Sequence, residues 1–207
     1  MSAITKTYLT GYSTLNALLW SVVLARTLTT LLTTFDPSAI YPSVGEFTRW
    51  AQTVIVLDFA HVLFGLVRTS LLTTLLQSFS RLFLVHAISP LSPTAHSSIF
   101  YTTMLVSWSV AEITRYTFYV YSAAGRAPRW LIWARYNFFF VLYVTGAGSE
   151  WACMWLSVRS GEVEEAGGKV VWGVVVGMLV AWPIFFPNQY LHMMALRRKM
   201  MRGKKKA

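Results

Sequence analysis

Apolar residues recur along this chain in six blocks, at about 9–33, 50–69, 71–88, 98–122, 130–155 and 170–186. Most are close to the ~20 residues that a helix needs to cross a bilayer. Turn and breaker residues separate them. The 34–49 stretch carries Asp36, Pro37, Pro42 and Glu46, and 89–97 carries two prolines. A short break falls at 68–70, an Ala-Ala-Gly-Arg-Ala-Pro-Arg loop at 123–129, and an acidic loop with Glu162, Glu164 and Glu165 at 159–169. Pro183 and Pro187 are expected to bend or end the last block. The pattern predicts an all-α membrane protein: six transmembrane helices in one bundle, forming a single domain over 1–207, with a basic tail at about 195–207.

Composition supports a lipid rather than an aqueous setting. The chain is 55% hydrophobic and 13% charged, about half the charge of an ordinary soluble domain. Its net charge of +10 would suggest nucleic acid or anionic lipid in a soluble protein. Seven of its eighteen basic residues, however, lie between Arg197 and Lys206. The charge is a tail rather than a groove, and no nucleic-acid partner is expected. The first block is span-length and lacks a small-residue cleavage site, so no cleavable signal peptide is expected. Basic segments stay in the cytosol. Six spans then put both termini there, together with the connections holding Arg68, Arg126 and Arg129. Lys204-Lys205-Lys206-Ala207 has lysines third and fourth from the end, the dilysine pattern of retrieval to the endoplasmic reticulum. A plain topology anchor is the competing reading of the same lysines.

Polar residues inside the blocks are the candidates for chemistry, because an ionisable group in a span needs a partner or a job. Asp58 and His61 are three apart, as are Glu112 and Arg115, so each pair shares a helix face. Structural ion pairing and catalysis both account for them. One cysteine, and four histidines without metal-ligand spacing, leave no metal site and exclude the histidine-box lipid enzymes. In the fifth block Tyr143 and Glu150 are seven apart, almost two turns, and point to one face. A buried glutamate is a fit general base, and a tyrosine hydroxyl can protonate a leaving oxygen. The pair suits an elimination, although two turns separate the backbones by ~10.5 Å.

Motifs spread over residues 8–200 resemble those of the 3-hydroxyacyl-CoA dehydratases, once named protein-tyrosine-phosphatase-like proteins. They are Gln52, Leu57-Asp58, His61, Gly65-Leu66-Val67-Arg68, Thr74, Gln77 and Ser80-Arg81, then Trp108-Ser109, Glu112-Ile113, Arg115-Tyr116 and Phe118-Tyr119. Arg135-Tyr136, Phe139, Leu142-Tyr143, Gly146 and Glu150 follow, and then Phe186-Pro187, Tyr190, His192-Met193 and Arg197-Arg198-Lys199. Val144 stands where the family has proline after the tyrosine, and Asp58 where it has glutamate.

The resemblance implies conversion of a (3R)-3-hydroxyacyl-CoA to a trans-2-enoyl-CoA, the third step of very-long-chain fatty acid elongation. It implies Tyr143 and Glu150 as the catalytic pair, with no cofactor. Arg68, Arg126 and Arg129 are then expected near the CoA phosphates. Asp58, His61, Arg81, Glu112, Arg115, Arg135 and Tyr136 are expected to bind substrate or support the pair. The implied partners are the elongase condensing enzyme, the ketoacyl-CoA reductase and the enoyl-CoA reductase, in the endoplasmic reticulum membrane. Two other readings of the chain are a weakly active scaffold of the elongation complex and a lipid-binding or transport bundle.

Overall fold

The computed structural model of the protein describes residues 2–67 and 71–204, and these contain helices and no strand. Helix α1 (Ala3–Thr34) begins at Ser2, whose hydroxyl accepts the Thr5 N–H at 3.1 Å. It ends where Phe35 turns left-handed, at φ 53°. A 3₁₀ turn (Pro37–Ala39) leads into α2 (Ile40–Val54), and a break at Ile55 separates α2 from α3 (Val56–Leu63). Helix α4 (Leu71–Phe83) widens into a π-helical turn over Leu84–Ile88, and short helices α5 (Ser89–Leu91) and α6 (Pro93–His96) follow. Next come α7 (Ile99–Ala123), α8 (Arg129–Asn137), α9 (Phe139–Arg159) and α10 (Glu162–Lys204).

Three stretches expected as loops are largely helical. In 34–49, Pro37 opens the 3₁₀ turn and Pro42 lies in the first turn of α2. The first N–H groups of a helix have no helical acceptor, so a proline there loses nothing. Pro90 and Pro93 start α5 and α6 in the same way. The acidic stretch forms the first turn of α10, where Glu162, Glu164 and Glu165 meet the positive end of the helix dipole. Gly161 (φ 78°) makes the turn before it, and Gly168 (φ 75°, ψ 173°) breaks the helix before its apolar stretch.

The prolines at 183 and 187 do not end α10, which runs on through much of the basic tail. Pro183 has no N–H to give the Leu179 carbonyl four residues back. Trp151 of α9 supplies the missing donor, its indole N–H reaching that carbonyl at 3.2 Å. Trp182 returns the contact by donating to the Ala147 carbonyl at 3.1 Å, and Arg197 Nε donates to Asn137 Oδ1 at 3.0 Å.

Helix α7 is the central element, packed on α1 and on α9, with α2 against α1 and α10 against α9. Around it Trp20, Tyr101, Met104, Leu105 and Tyr116 are fully buried. Three of the connections, near Tyr41, His96 and Glu162, meet at one end. Tyr41 stacks on His96 (centroids 4.0 Å apart). The Glu162 carboxylate there accepts from the Ser92 hydroxyl and from the Thr94 N–H and hydroxyl, the last at 2.7 Å.

Polar and ionisable side chains are buried beside the apolar core, and large apolar ones face outward. Asn16, Thr27, Gln52, Arg81, Glu112 and Glu150 are inside, while Leu18, Val141, Val170, Val180, Ile184 and Phe185 face outward. Lipid as solvent accounts for both observations. Among the described residues, two helices are long and apolar enough to cross a membrane by length and composition, α1 and the Glu162–Arg198 part of α10.

Candidate active site

One face of α7 carries Trp108, Glu112, Arg115 and Tyr116, spaced by four, three and one residues. That spacing puts all four on a single stripe, and the stripe organises the polar interior. Arg115 donates to Asp58 Oδ2 of α3 at 2.9 Å, and the Tyr116 hydroxyl donates to the same oxygen at 2.8 Å. Arg115 also lies 2.7 Å from Glu112 Oε2, the intrahelical pair that the spacing made available. The other oxygen of Glu112 accepts from Arg81 Nη1 of α4. The guanidinium of Arg81 rests over the Trp108 ring, 4.2 Å from its centroid. Trp108 in turn donates its indole N–H to Glu150 Oε1 of α9 at 2.6 Å.

The run Asp58, Arg115, Glu112, Arg81 alternates in sign and sums to zero. Each buried charge has an opposite neighbour, which is what makes such charges tolerable. Glu150 is different. It is 6% exposed, and among the described residues it has no salt bridge, only the indole. It is the carboxylate left over by the pairing.

Tyr143 lies on the same helix but meets other neighbours. It stacks on Phe186 of α10 (4.8 Å between centroids, 25° between planes), with Tyr190 6.1 Å away. Between Tyr143 and Glu150, Gly146 faces α7, where an added Cβ would sit 3.4 Å from Ser107 Cβ and 3.7 Å from Trp108 Cδ1. Thr145 and Ser107 hydrogen-bond across the same contact at 2.8 Å. Glu150 is thus held by α7 and Tyr143 by α10, and no hydrogen bond joins the two among the described residues. Helix α9 runs unbroken through Val144, whose side chain is half exposed. Valine in place of the family's proline therefore leaves a regular helix beside the tyrosine.

The remaining expected site residues are dispersed. His61 does not pair with Asp58; its Nε2 lies 2.9 Å from the Tyr8 hydroxyl and its ring meets Tyr12 edge-on. Asp58 turns instead to Arg115, which offers a full positive charge. Arg135 hydrogen-bonds the Tyr119 hydroxyl at 3.3 Å and lies over the rings of Phe118 and Tyr119. Tyr136 lines an open cleft of about 480 Å³ with Phe118, Ser122, Ile132 and Met200, a cleft whose lining includes neither Tyr143 nor Glu150. Arg126 and Arg129 are exposed at the α7–α8 connection. Arg68 and the terminal Lys205, Lys206 and Ala207 lie outside the described residues.

Sequence reasoning did not assign Trp108 to Glu150, nor Tyr8, Tyr12 and Tyr116 to the Asp58–His61 region. The available signals were the spacing of Trp108 from Glu112 and of Tyr8 from Tyr12, four residues each and so one helix face.

The outward apolar side chains and the buried ionisable groups point to a helical membrane protein, with acid–base candidates in its interior. The chain belongs to the protein tyrosine phosphatase-like family, PTPLA, whose family model matches residues 52–203. It is similar to a Schizosaccharomyces pombe protein named "Probable very-long-chain (3R)-3-hydroxyacyl-CoA dehydratase", 36% identical over 193 residues, covering 93% of this chain and 91% of the relative. It is also similar to the very-long-chain (3R)-3-hydroxyacyl-CoA dehydratase hpo-8 of Caenorhabditis elegans, 33% identical, with 96% of each chain covered. The corresponding dehydratase PASTICCINO 2A of Oryza sativa is 40% identical over 158 residues, 76% of this chain and 71% of the relative. No solved structure matches the chain.

Proposed function

We propose that the protein dehydrates very-long-chain (3R)-3-hydroxyacyl-CoA to trans-2-enoyl-CoA, the third step of very-long-chain fatty acid elongation. The observation that carries this reading is Glu150, a buried carboxylate with an indole for a partner and a tyrosine two turns away. The dehydratase names of relatives that span nearly the whole chain support it.

In this reading Glu150 takes the C2 proton. Its Oε1 is held by Trp108, so Oε2 is the oxygen that acts. The C2–H electron pair ends as the C2=C3 double bond, the C3–O bond breaks, and the Tyr143 hydroxyl protonates the departing oxygen as water. Return of the proton from Glu150 to Tyr143 resets the pair. The separation of their backbones suits a substrate whose C2 and C3 lie between the side chains.

The membrane setting follows. The chain spans the bilayer six times, the described helices grouping as α1, α2 with α3, α4, α7, α8 with α9, and α10. Both termini are cytosolic, in a multi-pass protein of the endoplasmic reticulum. The acyl chain lies among the apolar helices, and the CoA head meets cytosolic water near Arg68, Arg126 and Arg129. The condensing enzyme and the two reductases of the elongation cycle are its partners.

The test is turnover of a long-chain 3-hydroxyacyl-CoA by the purified protein. Wild type should form enoyl-CoA, and Tyr143→Phe and Glu150→Gln, each still folded, should not. Equal turnover by Glu150→Gln and wild type would overturn the site assignment. A folded wild type without turnover that co-purifies with a condensing enzyme would favour the scaffold reading.

A further inference from the structure

Arg81 is more than a partner for Glu112. It is 7% exposed, and among the described residues only Nη1 of its donor groups is hydrogen-bonded, to Glu112. Its Nε and Nη2 are buried with no hydrogen-bond partner among the described residues. Buried charged donors are seldom left open, and such a group in a native protein calls for an explanation. The guanidinium is also fixed. Glu112 grips one corner, and the guanidinium packs into the angle between the edge-on rings of Trp108 and Trp20, 4.2 Å and 5.4 Å from their centroids.

The same Trp108 ring holds Glu150 by its edge. One indole therefore carries a guanidinium on its face and a carboxylate on its rim. The two charges are neighbours without a salt bridge between them. A direct ion pair would use the open donors and tie up the base; the indole keeps both available.

Taking a proton from C2 of an acyl thioester moves charge onto the C1 oxygen. The step needs preorganised donors at that oxygen. Tyr143 and Glu150 are committed to C3 and C2, and neither can serve there.

We infer that Arg81 is a further catalytic residue, whose Nε and Nη2 bind the substrate's thioester carbonyl and hold the enolate oxygen formed when Glu150 removes the C2 proton. The inference rests on the dehydratase reading. In the step, the C2–H bond breaks and its pair forms C1=C2, while the carbonyl π pair moves onto the oxygen facing Arg81. That pair then returns to re-form C=O. The C1=C2 pair becomes C2=C3, and the C3–O bond breaks as Tyr143 supplies the proton for water. Trp108 touches no substrate atom and is a positioning residue.

The enolate half of the reaction can be read alone. A saturated long-chain acyl-CoA has the same thioester and C2 hydrogens but no hydroxyl to lose. Full-length protein with this probe in D₂O should place deuterium at C2, followed by mass spectrometry. Wild type and Tyr143→Phe should exchange; Glu150→Gln should not. Arg81→Lys keeps a positive charge for Glu112 and lacks the planar fork; its exchange should fall by about 10²–10³-fold, the usual loss of an oxyanion donor. Binding of the thioether analogue, which lacks the carbonyl oxygen, should be unchanged.

A folded Arg81→Lys exchanging at the wild-type rate would overturn the inference. So would a wild type that dehydrates hydroxyacyl-CoA yet exchanges nothing. Should Arg81→Lys fail to fold, the infrared band of a ¹³C-labelled thioester carbonyl bound to wild type decides. A shift to lower frequency on binding supports the guanidinium contact, and an unshifted band, as when ordered water alone fills the donors, overturns it. A wild type that binds the probe with a shifted carbonyl but dehydrates nothing would instead sink the dehydratase reading.

Discussion

The indole N–H of Trp108 reaches Glu150 Oε1 at 2.6 Å, across the contact between α7 and α9. It is the one hydrogen bond from α7 to the carboxylate that stands outside the neutral charge run. Because Gly146 lets the two helices approach beside it, the bond depends on a backbone contact as much as on the side chains.

Trp108→Phe keeps a ring for Arg81 to rest on and removes the donor. A hydrogen bond to a charged group contributes about 1.5–3 kcal/mol. Dehydratase kcat is expected to fall roughly 10- to 100-fold, with KM little changed. Steady-state kinetics on detergent-purified protein checks this, and an unchanged kcat would remove Trp108 from the site.

Gly146 and Gly148 are expected to behave differently although two residues apart. Nothing lies within 4 Å of a Cβ at 148, so Gly148→Ala should be neutral or gain up to about 1 kcal/mol from helix propensity. Gly146→Leu would push α9 off Ser107 and Trp108, and overpacking costs about 1–3 kcal/mol. It should lower both the thermal midpoint and the turnover. Equal midpoints for the two variants would contradict the close approach.

Asp36 gives a pH dependence away from the spans. The hydroxyl and N–H of Ser38 donate to its carboxylate, at 2.6 and 2.9 Å, and hold its pKa below the ordinary value. A carboxylate depressed on folding stabilises fully above its unfolded value of about 3.9. That contribution is lost as pH falls through the lower, folded value. A ¹³C-carboxyl titration of Asp36 should show the depression, and Ser38→Ala should move it upward. A titration unchanged by the substitution would deny the cap.

The Trp151–Leu179 contact is open to a double-mutant cycle. Trp151→Phe alone strands a buried carbonyl, at about 1–3 kcal/mol. In a Pro183→Ala background the new N–H restores the helical bond, and the same change should cost less, leaving a coupling of about 1 kcal/mol. Strictly additive effects on denaturant unfolding in detergent would mean that the indole does not replace the proline's missing donor.

The helical segments were legible in the sequence because long apolar blocks can do little else in lipid. Their ends were not. Pro37, Pro42, Pro90 and Pro93 read as breakers, yet each sits in a first turn, where it is harmless. The Glu112–Arg115 pair follows from helical spacing and is present; Tyr143 and Glu150 share α9, yet they meet different helices, α10 and α7. The partner of Asp58 did not follow. His61 is three residues away, but Arg115, 57 residues away, takes the carboxylate, because a guanidinium carries a full charge and several donors. Trp108 stood in the sequence as one aromatic among nine tryptophans. Only packing shows which of them turns its nitrogen to a carboxylate.

Pro183 and Pro187 look like a weak joint in α10, but the indoles of Trp151 and Trp182 latch that stretch from both sides. A slip of α10 along α9 by even one residue would release both at once. Phe186 and Tyr190 therefore keep station over Tyr143, and the pliable point of the helix lies far from them, at the left-handed Gly168. Any opening between these two helices that kept both indole bonds would have to swing from that end rather than ratchet.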